Sequence, residues 1–186
     1  MHGEKREDMM QTALSDMNDS SGDPLLVKAR EYVDEAERDM DLYDVAHTSE
    51  SLTALALARG KLRQPDKVVD LFEKHFKASS DIADDRFYAT CVQSLSRIDP
   101  NEAMRVFDEV YESTSDKNNN NKNPIRPNLY ALNACVAACA ELRQISEARK
   151  RVSQFVKNNP ATPLSSDTLD ALFKCAAASG AFAALK

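Results

Sequence analysis

Residues 127–140 read Pro127-Asn128-Leu129-Tyr130-Ala131-Leu132-Asn133-Ala134-Cys135-Val136-Ala137-Ala138-Cys139-Ala140, and Ile145-Ser146-Glu147-Ala148 follows after a short break. Leu132, Cys135, Val136 and Cys139 recur in steps of three and four, which puts them on one face of a helix. Ala148, Val152 and Phe155 repeat that spacing in the next segment. Two short amphipathic helices in succession predict an antiparallel hairpin.

The same pair recurs on both sides. First-helix segments align as Leu52-Thr53-Ala54-Leu55-Ala56, Tyr88-Ala89-Thr90-Cys91-Val92, Leu132-Asn133-Ala134-Cys135-Val136 and Leu169-Asp170-Ala171-Leu172-Phe173. Second-helix segments align as Lys67-Val68-Val69-Asp70-Leu71-Phe72, Glu102-Ala103-Met104-Arg105-Val106-Phe107 and Glu147-Ala148-Arg149-Lys150-Arg151-Val152. The first-helix segments start 36, 44 and 37 residues apart, and the long interval holds an insert. A helical-hairpin period in the mid-thirties predicts a solenoid, because one hairpin cannot bury both of its faces without a neighbour. The apolar stripes are Leu52, Leu55, Ala56 and Leu62; Val68, Val69, Leu71, Phe72 and Phe76; Tyr88, Cys91, Val92 and Leu95; Ala103, Val106, Phe107, Val110 and Tyr111; and, in a seventh helix, Leu169, Leu172, Phe173 and Ala176. Asp99-Pro100-Asn101-Glu102 has the form of a capped helix start.

The rest of the chain is less regular. Residues 1–23 carry a weak helical pattern through Met9, Met10, Ala13, Leu14 and Met17. Asp23 is placed to cap a helix with Pro24 in its first turn, followed by Leu25, Leu26, Ala29, Val33 and Ala36. The organisation predicted is an acidic N-terminal helical segment over 1–48, which can be aligned as a decayed repeat, and a solenoid over 49–186. An Asn-rich insert at 113–127 centres on Asn118–Asn123, a low-complexity tract expected as a mobile loop. The last residues, Gly180 to Lys186, read as a helix start that stops within two turns.

The pattern in 127–148 resembles the pentatricopeptide-repeat family: Pro-Asn, an aromatic or aliphatic residue, Asn, then small and apolar residues, with Ile145-Ser146-Glu147-Ala148 similar to that family's second-helix start. The resemblance covers roughly residues 49–180, as a fragment or short member with three to four repeats. The tetratricopeptide family has a similar period, but its Trp, Leu-Gly and Tyr signature is missing. The fold implied is all-α, a right-handed α-α superhelix of helical hairpins. The function implied is binding of single-stranded RNA, about one base per repeat, read by two side chains. One lies in the first turn of the first helix: Thr53, Ala89, Asn133 and Asp170. The other ends the repeat: Asp84, Asn128 and Ser165. Thr53 with Asp84 resembles a purine-reading pair and Asn133 with Ser165 a pyrimidine-reading pair, while Ala89 offers Asn128 no hydrogen-bonding partner. These polar residues can equally be solvated helix starts. At the positions that sandwich bases stand Glu50, Arg86, Tyr130 and Asp167; Tyr130 offers a stacking face and Arg86 a guanidinium plane. Lys61 and Arg97 suit phosphate contact, or simply complement a helix C-terminus. The family also implies a mitochondrial or plastid location.

Composition sets limits on other functions. The net charge of −6 disfavours nucleic acid, but residues 1–48 hold 5 basic and 13 acidic side chains, so the remainder is near neutral. Arg149-Lys150-Arg151 is a basic cluster expected to face outward as a solvated surface. Cys91, Cys135, Cys139 and Cys175 lie in apolar runs, which predicts reduced packing residues and a reducing compartment. Cys135 and Cys139 share a helical face, but His2, His47 and His75 supply no matching metal-ligand pair, and no metal or cofactor site is expected. No segment is apolar enough to span a membrane, and the start has the form of neither a signal nor a transit peptide. No nucleophile motif, phosphate loop or dinucleotide fingerprint is present, so neither an enzyme nor a small-molecule substrate is expected. Two readings remain: an organellar RNA-binding protein acting in processing, stability or translation of transcripts, or a protein-interaction scaffold, an accessory subunit of a large assembly such as an organellar ribosome or membrane complex.

Overall fold

The structure, a computed structural model, describes residues 23–77, 82–115 and 127–180. The pattern at 1–22, the Asn118–Asn123 tract and the helix start expected after Gly180 lie outside them. Every regular element among the described residues is an α-helix: α1 (Pro24–Leu42), α2 (Ser49–Lys61), α3 (Pro65–Lys77), α4 (Asp85–Leu95), α5 (Pro100–Ser115), α6 (Leu129–Glu141), α7 (Ile145–Asn158) and α8 (Ser166–Ala178). None is long and apolar enough to cross a membrane.

The chain divides into two compact units, 1–46 and 47–186. In the first, Asp23 caps α1 by accepting from the Leu25 amide at 2.9 Å, with Pro24 in the first turn as the sequence predicts. No residue of α1 is buried, so Leu26, Ala29 and Val33 form a stripe without becoming core.

In the second unit α2, α4, α6 and α8 pack in succession on one another. The second helices α3, α5 and α7 each pack on their own first helix and on the following one. Helical hairpins therefore stack side by side, and the core runs between the two rows through Leu52, Phe72, Tyr88, Val92, Phe107, Leu132, Val136 and Phe155. Ala103 and Ala148 are fully buried, as small residues at tight helix contacts should be. α2 and α4 approach closely at Gly60. A Cβ added to Gly60 would lie 2.5 Å from the Cβ of Ser94, whose hydroxyl donates to the Ala56 carbonyl at 3.1 Å. Only a glycine admits that crossing.

Two hairpins turn through the same three residues. In Leu62-Arg63-Gln64 and Leu142-Arg143-Gln144 the arginine adopts a left-handed conformation, with φ of 53° and 57°. The Gln64 amide then donates to the Arg59 carbonyl at 3.0 Å, and that of Gln144 to the Cys139 carbonyl at 2.8 Å. Each bond spans five residues and closes the C-terminus of a first helix. The α4–α5 turn, Ser96-Arg97-Ile98-Asp99, has no positive φ and caps α5 instead, with Asp99 accepting from the Glu102 amide at 3.1 Å.

Two expectations are corrected. The seventh stripe is right only in part: Ala176 is buried and Leu172 packs against the core, but Leu169 and Phe173 are exposed, and α8 buries Thr168 and Cys175 instead. Thr168, on the buried side, makes a polar contact with α6, described below. Arg151 also does not face outward with Arg149 and Lys150. It is 7% exposed and binds Asp108 of α5 through both ends of its guanidinium edge, the Nε bond being 3.0 Å, and Glu147 of its own helix at 2.9 Å. Position 151 lies in the core phase of α7, three residues past Ala148, and the ion pairs make a cation tolerable there.

Candidate functional site

A groove of about 340 Å³ runs along the first-helix row and is lined by Gln93, Ser96 and Arg97 from α4 and its C-terminal turn, by Tyr130, Asn133, Ala134, Ala137 and Glu141 from α6, and by Asp167 from α8. Of the residues singled out from sequence, Arg97, Tyr130, Asn133 and Asp167 meet here. Ala134 and Ala137 keep the floor low. Tyr130, in the first turn of α6, is 80% exposed and so leaves its ring free to be covered.

Asn133 is held on two sides. Its Oδ1 accepts from the Thr168 hydroxyl at 2.6 Å, and its Nδ2 donates to the Ser165 hydroxyl over a long 3.4 Å. Ser165 caps α8, accepting from the Thr168 amide at 3.2 Å, and its hydroxyl also lies 3.0 Å from that of Thr168. A three-residue polar knot thus ties α6 to the head of α8. The short bond to Thr168 fixes the orientation of the amide, while the long one to Ser165 contributes little. An amide carries two N–H donors and a two-lone-pair oxygen, so Asn133 retains one of each beyond these bonds. Thr168 is fully buried and was not evident from sequence, where a threonine three residues past a capping serine looks like a helix-start residue.

The other sequence candidates have local duties. Thr53 donates to the Ser49 carbonyl of its own helix at 2.8 Å. Ala89 is buried. Asp84 caps α4, accepting from the amides of Arg86 at 3.1 Å and Phe87 at 2.8 Å. Burial works against its charge, but hydrogen bonds from the Ser49 hydroxyl and these two amides outweigh it and hold its pKa below the ordinary value. Asn128 caps α6 through the Ala131 amide at 2.9 Å and donates to the Asp85 carbonyl at 3.1 Å, joining α6 to the head of α4. Asp170 and Lys61 are exposed, and neither lines the groove. The residues that end each repeat are therefore the N-caps of the next first helix, which places them beside the preceding one.

The cysteines pack. All four are free and buried, and burial pushes the thiol pKa of Cys91 well up, which makes it a poor nucleophile. The Cys139 Sγ lies 3.4 Å from the Met104 sulfur. Sequence reasoning passed over a second pair that the fold assembles: the rings of His47 and His75, 28 positions apart in sequence, stand edge to face with centroids 5.4 Å apart. Outside the groove, a small pocket of about 100 Å³ lies over the Arg151–Asp108 pair, bordered by Tyr111, Glu112, Lys150 and Gln154. No protein-family model and no curated protein matches the chain.

Proposed function

We propose that the stacked hairpins form a right-handed α-α solenoid of the pentatricopeptide type, and that its first-helix groove binds single-stranded RNA of a mitochondrion or plastid, in processing, stability or translation of transcripts. The observation that carries this reading is Asn133 beside Ser165 in a groove that also holds Tyr130 and Arg97. Asn133 has a donor and an acceptor left for a base edge, and the weak Ser165 bond is easily exchanged for one to a base. Tyr130 supplies a stacking face and Arg97 a cation for the adjoining phosphate. Thr53 and Ala89 leave the earlier repeats with less to read, so the expected recognition is strongest at one nucleotide.

The test is binding of a single-stranded RNA pool by the whole chain across a salt series. Asn133→Ala should weaken binding by about 1–3 kcal/mol, the scale of a good base contact. Arg97→Ala should weaken all sequences alike and lower the salt slope, as loss of a phosphate contact does, while Lys61→Ala, outside the groove, should do neither. No binding at low salt removes the RNA reading. One observation favours a second reading: Glu141 and Asp167 border the same groove and repel phosphate. They suit a protein scaffold whose partner brings lysines or arginines to this face, and binding of a basic peptide in place of RNA would select it.

A further inference from the structure

Outside the groove, the first hairpin carries a feature that RNA binding does not use and that packing alone does not explain. His75 sits on α3 in the core phase set by Val68, Leu71 and Phe72 and is 8% exposed. Its ring meets His47 edge to face at 5.4 Å and Phe87 of α4 edge to face at 6.3 Å. The Nε2 of His75 and the Nδ1 of His47 are both buried without a hydrogen-bond partner. The arrangement suits a neutral His75: charging it would bury a cation against a second imidazole, with its Nε2 lacking a partner to stabilise the added proton.

Among the described residues, the surroundings offer no relief. Lys74, on α3 itself, adds a second positive neighbour. From α4, Phe87 presents a ring, and Asp84 at the head of that helix gives its carboxylate to two α4 amides and the Ser49 hydroxyl. From α2, the buried Arg59 directs its guanidinium to Gln64 at 2.9 Å. Among the described residues no third His, Cys, Asp or Glu joins the two rings in a group that could hold a metal.

We propose that the His47–His75 pair is a pH-sensitive clasp, which holds the first hairpin against α4 when neutral and loosens it when protonated. Burial, then His47 and Lys74, lower the pKa of His75 below its ordinary value. The folded state therefore binds a proton less readily than the unfolded chain. Stability is full above the unfolded value of about 6.5 and declines as pH falls below it, until the folded pKa is reached. The unfolding constant rises at most tenfold per pH unit for each proton excluded.

The chain has three histidines, so few other groups titrate in this window. The experiment is denaturant unfolding of the whole chain between pH 8.0 and about 5.5, above the ordinary carboxylate range, with His75→Gln and His47→Gln beside the wild type. The wild type should lose stability towards low pH, approaching the tenfold limit, and each variant should show a flatter profile. Imidazole NMR titration of the folded wild type supplies a readout should a variant not fold: at least one ring other than that of His2 should titrate below the ordinary histidine value. Wild-type and variant profiles of equal slope, or both rings titrating at or above that ordinary value, would overturn the clasp. A Zn²⁺-dependent rise in melting temperature at pH 7.5 that His75→Gln abolishes would also overturn it, in favour of a metal site.

Discussion

The hairpins α2–α3 and α6–α7 turn through the same Leu-Arg-Gln with the same left-handed arginine, yet they treat the matching first-helix position differently. Thr53 folds its hydroxyl back onto the Ser49 carbonyl of its own helix, whereas Asn133 reaches across to Ser165 and Thr168 of the next first helix. In the intervening repeat that position is a buried alanine, Ala89. The first and third hairpins thus share what closes and packs them and differ in what the matching first-helix side chain reaches. A backbone turn or a core contact admits few solutions. A half-exposed side chain on the groove wall admits many, and its role depends on what the neighbouring repeat places opposite.

The sharpest way to break the comparison is to attack the packing that the repeats share. Gly60→Ala should cost about 1–3 kcal/mol by overpacking, because the new methyl group meets Ser94 near its backbone and not at a flexible tip. Chemical denaturation measures this directly. An unchanged midpoint would mean that α2 and α4 do not cross at these residues. Ala148→Leu probes a different packing position, on the second helix of the third hairpin, where the side chain is fully buried, and should fall in the same range of about 1–3 kcal/mol.

Packing positions were legible in the sequence because helical periodicity records them. Leu52, Ala56, Tyr88, Cys91, Leu132 and Cys135 were placed by spacing alone and are buried. What periodicity did not reveal were polar residues in the same phase. Arg59 follows Leu52 and Ala56 at helical steps, His75 follows Val68 and Phe72, and Arg151 follows Ala148, and all three are buried. Charge and polarity normally mark a surface, so the phase signal was outweighed until Asp108 was seen opposite Arg151 and His47 beside His75. The site was legible in part. Resemblance to the pentatricopeptide pattern, and not spacing, brought Asn133, Tyr130 and Arg97 forward, while Thr168, which orients the Asn133 amide, depends on how far α8 rotates. That rotation also exposes Leu169 and Phe173, and a list of apolar residues cannot fix it.

A smaller effect separates the two matching first-helix positions. Asn133→Ala should cost the fold about 0.5–1.5 kcal/mol, the usual net value of a hydrogen bond, since the Thr168 hydroxyl loses its short partner and keeps only Ser165. Thr53→Ala should change stability by no more than about 0.5 kcal/mol, because its bond is local and half exposed. Equal costs at both positions would show that the knot between α6 and α8 contributes nothing to stacking. A loss at Asn133 also bears on the RNA experiment: binding there has to be compared at temperatures where both proteins are fully folded.

The smallest effect is the most specific to the repeat. A non-glycine residue with φ near +55° carries a steric cost between Cβ and the carbonyl oxygen, which glycine removes at the expense of a more flexible unfolded chain. Arg63 and Arg143 both stand in that region, and the Arg63→Gly and Arg143→Gly variants should each gain about 0.5–1 kcal/mol. Arg97 occupies the matching turn of the middle hairpin without a positive φ, so Arg97→Gly keeps only the entropic cost and should lose up to about 1 kcal/mol. The informative quantity is the sign across the three variants, measured by thermal melting under one condition. Gains at the outer hairpins with a loss at the middle one would show that the first and third turns are built alike and the second differently. A gain at all three would make the turns equivalent, and the first-helix position held by Thr53, Ala89 and Asn133 would then be the main departure from a uniform repeat.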